Sequence, residues 1–202
     1  MSRRLLPYGA GAVLLECADL AETQALRPAI EQRFPAVTEV IPGARTLLLR
    51  LDRPLSAAER QDLLDLRGAQ APTTAEPAVV RLHVDYSGPD LAEVAEHTGL
   101  SPDEVVAAHT GQIWAVAFCG FAPGFGYLVG EHGRLRVPRR KRPRTTVPAG
   151  AVGLADAFSG VYPRSGPGGW QLIGRTDATL WDLDRDPPAL LRPGGRVRFV
   201  AG

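Results

Sequence analysis

The segment that follows Gly111 constrains the fold most, because glycine and proline divide it into short apolar runs. Short apolar runs between such breaks are typical of β-strands. The runs are QIWAVAFCGF, RTTVPAGAVGLA, GVYP, GWQLIGRT, ATLWDL and GRVRFV. Many short strands, each followed by a turn, predict a β-barrel or a β-sandwich for this part of the chain.

The first third of the chain has a different pattern. Two short strands precede a helix for which Asp19 is the N-cap, and a hairpin with its turn at Pro42 and Gly43 follows. Ser56 and Glu59 have the spacing of a capping box at the start of a second helix. The order strand, helix, hairpin, helix predicts a small α+β domain.

A linker separates the two patterns. Residues 67–77, RGAQAPTTAEP, are rich in alanine, threonine and proline and show no hydrophobic period. We therefore expect an α+β protein with two domains. The small domain, with the linker at its end, covers residues 1–76, and the β-rich domain covers residues 77–202.

The second domain begins with a strand, AVVRLHVDY, and two helices. The first helix is expected to begin at Pro89 after an N-cap-like Gly88 and to stop at Gly99. The second helix takes Ser101 as its N-cap. Both helices precede the β-rich segment.

The net charge gives no reason to expect a polyanionic partner. Lys and Arg number 23 against 22 Asp and Glu, so we expect neither nucleic acid nor a membrane as a partner. The two cysteines lie far apart, and polar and helix-breaking residues interrupt the apolar N-terminal stretch, so we expect reduced thiols and a cytoplasmic location. The positive charge is local: residues 138–144, PRRKRPR, contain the only lysine of the chain.

Four motifs in the second domain follow an order that resembles a known family. They are GFAPGFGYL, PRRKRPRTTVPAG, GVYP and SGPGGWQLIGRT. The family is variously called allophanate hydrolase subunit 1, the Kip-type kinase inhibitor, and the B subunit of the bacterial ATP-dependent 5-oxoprolinase. The match covers nearly all of residues 85–200 and only weakly the first third. It implies a small α/β domain followed by a cyclophilin-like β-barrel.

The resemblance also implies partners. Family members are usually found with a second protein, similar to allophanate hydrolase subunit 2, and the pair is similar to the carboxyltransferase region of urea carboxylase. In the 5-oxoprolinase, the B and C subunits activate 5-oxoproline with ATP, and the A subunit completes the ring opening to glutamate. We therefore expect one component of a heteromeric amide hydrolase that is not a self-sufficient catalyst, with no metal site and no biotin-attachment site.

The chain lacks the motifs of a complete enzyme. It contains no G-x-S-x-G elbow, and neither glycine-rich motif is followed by the Lys and Ser or Thr of a Walker loop. ATP is thus expected to bind by another route or mainly through the C subunit.

Other functions remain open. A Kip-type inhibitor would bind a sensor histidine kinase through exposed aromatic residues. A carboxyltransferase-like protein would act on a urea- or allophanate-type amide. Nucleic-acid binding through residues 138–144 is the weakest alternative, because the chain lacks the wider basic face that such binding uses.

The glycine-rich motif GFAPGFGYL supplies candidate substrate-binding residues. Its rings would wall an apolar pocket while backbone amides approach a ligand; alternatively, the glycines form tight turns and the rings are core residues. The amides are those of Gly120, Gly124 and Gly126. The candidate residues are Phe121, Pro123, Gly124, Phe125 and Tyr127.

Further candidates come from the flanking segments. His109, in the last turn of a helix, is the candidate catalytic acid or base; alternatively, it satisfies carbonyls at the helix end. Arg175 would hold a carboxylate or phosphate, or it would pair with an aspartate such as Asp177 or Asp182. The other substrate-binding candidates of this segment are Ser165, Gln171 and Thr176.

The motif DAFSGVYP departs from the family pattern GxQTGIYP. Phe158 and Ser159 stand where the family has glutamine and threonine, and GGRV replaces GDRV near the end of the chain. The resemblance places this glutamine beside the substrate site, so its absence bears on substrate choice.

The basic run divides into two groups. Arg139 and Arg144 occupy Pro-Arg positions that the family repeats, and both are candidate substrate-binding residues. Arg140, Lys141 and Arg142 fall where the family varies, so we expect them at a solvated loop tip. Replacing Arg139 or Arg144 with alanine is expected to impair activity or assembly, whereas neutralising the other three together is expected to do little.

Overall fold

A computed structural model describes residues 3–68 and 78–202 of the 202-residue chain. The chain falls into two compact units, residues 1–76 and 77–202. Most of the predicted linker lies outside the described residues, so that linker stays a prediction.

The first unit is a four-stranded antiparallel sheet with two helices, and its strand order is β1-β2-β4-β3. The strands are β1 (Arg4–Pro7), β2 (Ala12–Glu16), β3 (Val37–Pro42) and β4 (Thr46–Leu51). The helices are α1 (Leu20–Arg33) and α2 (Ala57–Asp65). Both helices begin where predicted, because the Asp19 side chain accepts a hydrogen bond from the Glu22 amide, and Ser56 and Glu59 form a capping box.

The core of the first unit lies between the sheet and the helices. Leu47 and Leu49 alternate along β4 with less buried residues and are fully buried. Leu26 and Ile30, four residues apart on α1, are also fully buried, as expected for the inner face of a helix. The predicted hairpin is confirmed, since β3 pairs with β4.

The second unit contains a seven-stranded sheet of order β12-β9-β10-β7-β6-β13-β5 and a two-stranded sheet of β8 and β11. The strands are β5 (Val79–Val84), β6 (Trp114–Cys119), β7 (Gly126–Gly130), β8 (Arg144–Val147), β9 (Ala151–Ala155), β10 (Phe158–Val161), β11 (Gly166–Gly168), β12 (Gln171–Arg175) and β13 (Arg196–Ala201).

The seven-stranded sheet closes almost completely into a barrel. A bridge between Asp85, which follows β5, and Arg175, at the end of β12, joins the two edge strands. Strand β13 runs parallel to β5, and the other pairs are antiparallel. The predicted α+β class with a cyclophilin-like barrel is confirmed. One predicted strand, ATLWDL, is wrong, because only an isolated bridge from Trp181 to Ala189 forms there.

Two helices lie between the barrel strands β5 and β6, namely α3 (Leu91–Thr98) and α4 (Pro102–Thr110). Helix α3 begins two residues later than predicted. The Gly88 and Asp90 amides donate to the Ile173 and Leu172 carbonyls of β12 at 3.2 and 2.9 Å, so this segment is bonded to the strand. Helix α4 begins as predicted, with Ser101 in a capping box. No helix in the described ranges has the length and apolar composition that a membrane crossing requires.

Candidate functional site

Seven aromatic side chains pack together in the second unit and form the aromatic cluster. They are Phe118, Phe121, Phe125, Tyr127, Phe158, Tyr162 and Trp170. The Phe125 ring meets Tyr162 and Trp170 edge to face at centroid distances of 5.4 and 5.3 Å, which is a favourable arrangement. Phe125 is buried, whereas Phe121 is 60% exposed at the rim. The cluster therefore combines a packed base with one accessible ring.

Phe121 lies in a strained turn that presents its ring to solvent. Its φ is 68°, in the left-handed region that bulky L-residues rarely adopt. The Ala122 amide donates to the Gly120 carbonyl at 2.8 Å, which is the hydrogen bond of a γ-turn with positive φ, a rare form. Strain of this kind is concentrated at functional sites. Phe121 is therefore the strongest candidate for ligand contact in the cluster.

The strain at Phe121 can be measured with a pair of substitutions. Phe121→Gly is expected to be more stable than Phe121→Ala by about 1 kcal/mol, because glycine tolerates positive φ and alanine does not. Both variants lose the ring, so the difference reports the backbone. Denaturant unfolding followed by tryptophan fluorescence measures it in the second unit, where all three tryptophans lie. Equal stabilities would argue against strain in this turn.

The glycines of the same loop are used for packing. The Gly120 amide donates to a carbonyl of the loop at 3.2 Å. A Cβ at Gly124 would lie 3.0 Å from Cβ of Trp181, and one at Gly126 would lie 3.3 Å from Cβ of Leu191. These contacts support the interpretation that the glycines form tight turns. They do not favour the alternative in which their amides line a ligand site.

Arg139 carries a positive charge beside the tyrosines of the aromatic cluster. Burial raises the pKa of Tyr127 and of Tyr162, and the charge of Arg139 opposes that rise at both. A Cβ at Gly169 would lie 3.6 Å from Nη2 of Arg139, so the guanidinium runs along the Gly169 backbone. Arg139 is exposed and forms no ion pair within residues 3–68 and 78–202. Its guanidinium is therefore available to an anionic group.

A buried carboxylate that no sequence pattern singled out organises the basic run. Asp90 is 3% exposed, and its Oδ1 accepts hydrogen bonds from Arg140 Nη1 and Arg144 Nη2, each at 2.7 Å. Its Oδ2 accepts from the Leu172 amide at 2.7 Å. The bond to Asp90 raises the pKa of Arg144. Asp90 thus joins the start of α3, strand β12 and the basic run, and its only sequence signal is its place in GPDL before a helix.

The predicted division of the basic run is partly wrong. Arg140 does not lie at a solvated tip, because its side chain is 28% exposed and bonded to Asp90. Lys141 and Arg142 are exposed, as expected. Neutralising all three residues together is therefore expected to destabilise the second unit through Arg140. Arg144 shares Asp90 with Arg140, and its contact with substrate stays a prediction.

His109 is wholly buried, and both of its ring nitrogens are hydrogen-bonded. Nδ1 lies 2.6 Å from the Tyr86 hydroxyl, and Nε2 lies 2.8 Å from the Ser159 hydroxyl. This placement favours a structural role, and acid–base catalysis by His109 stays a prediction. Ser159 has a hydroxyl, as does the threonine of the family pattern, so this departure keeps a group that can bond His109.

The buried imidazole predicts a pH dependence of stability. Burial lowers the pKa of His109 to about 3 from 6.5, so the unfolded chain binds a proton that the folded chain does not. The contribution of His109 to the free energy of unfolding is fully present above pH 6.5 and is lost as the pH falls towards 3. Between about pH 7.5 and 5.5 we expect a loss of about 1.4 kcal/mol.

Denaturant unfolding at the two pH values checks this dependence. In His109→Gln, the loss of unfolding free energy between the two pH values should be smaller by about 1.4 kcal/mol. It should persist in His132→Gln, which removes an exposed imidazole. An unchanged pH dependence in His109→Gln would show that another group is responsible.

Two predicted residues have partners within the protein. Gln171 is 1% exposed, and its Nε2 donates to Glu93 Oε1 at 3.1 Å. Arg175 donates to Asp177 at 3.0 Å, and both side chains are largely exposed. Arg175 therefore forms the ion pair with Asp177 that was one of its two predicted alternatives.

The last three candidates are dispersed. Thr176 is buried, and its hydroxyl accepts from the Ala178 amide at 3.3 Å. Ser165 and Pro123 are exposed. The structure thus brings Arg139 to the aromatic cluster and places Arg144 and Gln171 near Asp90 and its neighbour Glu93. No hydrogen bond or ion pair in the described part of the chain joins Ser165 or Thr176 to either group.

Comparison with known proteins identifies the family of the chain. The family model described as carboxyltransferase domain, subdomain C and D, matches residues 3–191. The chain belongs to this carboxyltransferase family. A curated relative from Escherichia coli O157:H7, named as the B subunit of 5-oxoprolinase, is 45% identical over 172 residues, covering 83% of this chain and 79% of the relative. A Bacillus subtilis (strain 168) relative of the same name is 39% identical over 186 residues, covering 84% and 78%.

Two solved structures share the fold of this chain. The crystal structure of TTHA0988 has a TM-score of 0.74 and 36% identity, and the match covers 95% of this chain and 40% of that chain. The Kluyveromyces lactis urea amidolyase has a TM-score of 0.75 at 18% identity, covering 99% of this chain and 15% of that one. The chain therefore spans less than half of these larger proteins. The resemblance inferred from the four motifs is confirmed.

Proposed function

We propose that this member of the carboxyltransferase family is the B subunit of an ATP-dependent 5-oxoprolinase. The observation that carries the proposal is the identity of 39% and 45% to two relatives of that name over more than four fifths of the chain. In this proposal the chain works in the cytoplasm with the C and A subunits of the enzyme. Together they open the ring of 5-oxoproline to give glutamate.

The chemistry of 5-oxoproline suits the aromatic cluster and Arg139. The substrate is a flat five-membered lactam that carries one carboxylate. The guanidinium of Arg139 offers two parallel hydrogen bonds to a carboxylate, and the exposed Phe121 ring offers a face to the lactam. This chain would then bind and orient the substrate, which lowers the entropic part of the barrier.

The glycine-rich loop does not fit the phosphates of ATP. The Gly120 amide is already bonded, and the Cα positions of Gly124 and Gly126 face other atoms of the protein at short distance. A phosphate cradle requires several free amides directed at one point. We therefore assign the nucleotide to the C subunit or to another surface of this chain.

Reconstitution tests the proposed function. The chain is purified with the C and A subunits, and ADP release is measured with and without 5-oxoproline. We expect release that requires 5-oxoproline and all three proteins. Release that responds to urea or allophanate instead would identify the amide alternative, and no substrate-dependent release would contradict the proposal.

Inhibition of a sensor histidine kinase is the second candidate function. The observation that favours it is the 60% exposure of Phe121, because exposed aromatic residues often anchor protein interfaces. Kinase autophosphorylation would then fall with added chain and recover with Phe121→Ala. Autophosphorylation that excess wild-type chain leaves unchanged would exclude this role for the kinase tested.

A further inference from the structure

A cleft beside the basic run has no assigned function. It has a volume of about 430 Å³, and its lining includes Arg139, Arg140, Lys141, Arg142, Glu93 and Gln171. We refer to it as the basic cleft. We propose that the basic cleft binds a phosphate-bearing anion with several negative charges. Its volume lies within the range of small-molecule sites.

The charge of the basic cleft is the first observation behind this proposal. Four consecutive cations line it, and of these only Arg140 is bonded to Asp90. Among the described residues, Lys141 and Arg142 form no ion pair, and Glu93 is the one carboxylate in the lining. Such an excess of positive charge matches a multiply charged anion better than a single carboxylate, and lysine and arginine are the usual ligands of phosphate.

Unpartnered polar atoms of two residues that line the basic cleft are the second observation. Gln171 is 1% exposed, and its Oε1 has no hydrogen-bond partner in the described part of the chain. Nε of Arg140 is also buried and unpartnered there. Buried polar groups are nearly always hydrogen-bonded. A phosphate oxygen would accept from Nε, and a hydroxyl or protonated phosphate oxygen would donate to Oε1.

The basic cleft differs from the site proposed for 5-oxoproline. Its lining includes no residue of the aromatic cluster, and only Arg139 is common to both. The inference does not depend on the proposed function, because it concerns the binding of an anion to this chain alone. It can therefore be tested without partner proteins and without an activity assay.

Calorimetric titration of the full chain with inorganic triphosphate tests the inference. We expect binding at low ionic strength that weakens as salt is added. The double variant Lys141→Gln, Arg142→Gln is expected to bind at least about tenfold more weakly, because it loses two charge-assisted contacts. Arg198→Gln removes an exposed positive charge from β13 and is the matched control, with affinity within about twofold of the wild type.

Each outcome of this titration bears on the basic cleft. Absence of triphosphate binding, unchanged affinity in the double variant, or an equal loss in Arg198→Gln would overturn the inference. Displacement of triphosphate by 5-oxoproline would also overturn it, because the cleft would then be the substrate site. If ATP binds more tightly than triphosphate, the ligand is a nucleotide, and equal affinities indicate a free polyphosphate; both support the inference.

Discussion

Replacement of Asp90 with alanine is expected to lower the free energy of unfolding of the second unit by about 3 kcal/mol. The substitution removes a buried carboxylate that accepts from two arginines and from the Leu172 amide. That amide would remain buried without an acceptor, and Arg140 and Arg144 would lose their shared anion. Equilibrium unfolding in guanidinium, followed by tryptophan fluorescence, measures the loss.

Two further variants define what Asp90 does. Asp177→Ala is the matched control, because its carboxylate bonds Arg175 but is 91% exposed, and exposed ion pairs contribute little. Asp90→Asn keeps an acceptor oxygen but removes the charge, so its stability should lie between wild type and Asp90→Ala. If Asp177→Ala and Asp90→Ala lost equal stability, Asp90 would not be the organising carboxylate.

Replacement of Arg139 with alanine is expected to lower kcat/KM for 5-oxoproline by about tenfold to a hundredfold. This range corresponds to the loss of one hydrogen-bonded charge pair with the substrate carboxylate. The free energy of unfolding should stay near that of the wild type, because Arg139 is exposed and makes no ion pair with another described residue. The measurement uses the reconstituted complex and rests on the proposed function.

Controls separate a specific contact from a general effect of charge. Arg139→Lys keeps the positive charge but loses the planar fork, so it should recover only part of the activity. Arg198→Ala removes another exposed arginine of the same unit and should leave kcat/KM unchanged. If Arg139→Ala kept the kcat/KM of the wild type, Arg139 would not contact the substrate.

Local patterns were sufficient to predict most secondary structure. The caps at Asp19, Ser56 and Ser101 depend on neighbours within a few residues, and each lies where predicted. The hairpin turn begins one residue later than predicted, at Gly43, because Pro42 still pairs with Leu47. The start of α3 was misplaced, because the Gly88 and Asp90 amides bond to β12, a strand far along the chain.

The candidate site could be predicted only in part. The motif GFAPGFGYL pointed to Phe121, Phe125 and Tyr127, and the structure packs these rings together. The sequence could not show that Phe121 takes positive φ, since phenylalanine does not favour that conformation. It also misplaced Arg140, because the family's variation at that position carries no information about a buried partner.

The sequence by itself determined the fold class, the family and the helix boundaries that depend on caps. Only the tertiary structure decided which polar groups are buried together. Asp90 meets Arg140 and Arg144, 50 and 54 residues away, and His109 meets Ser159, also 50 residues away. Such pairs form because closure of the barrel removes these groups from water. Each group must then find a hydrogen-bonding partner within the protein. The spacing of residues along a chain does not specify which partner that will be.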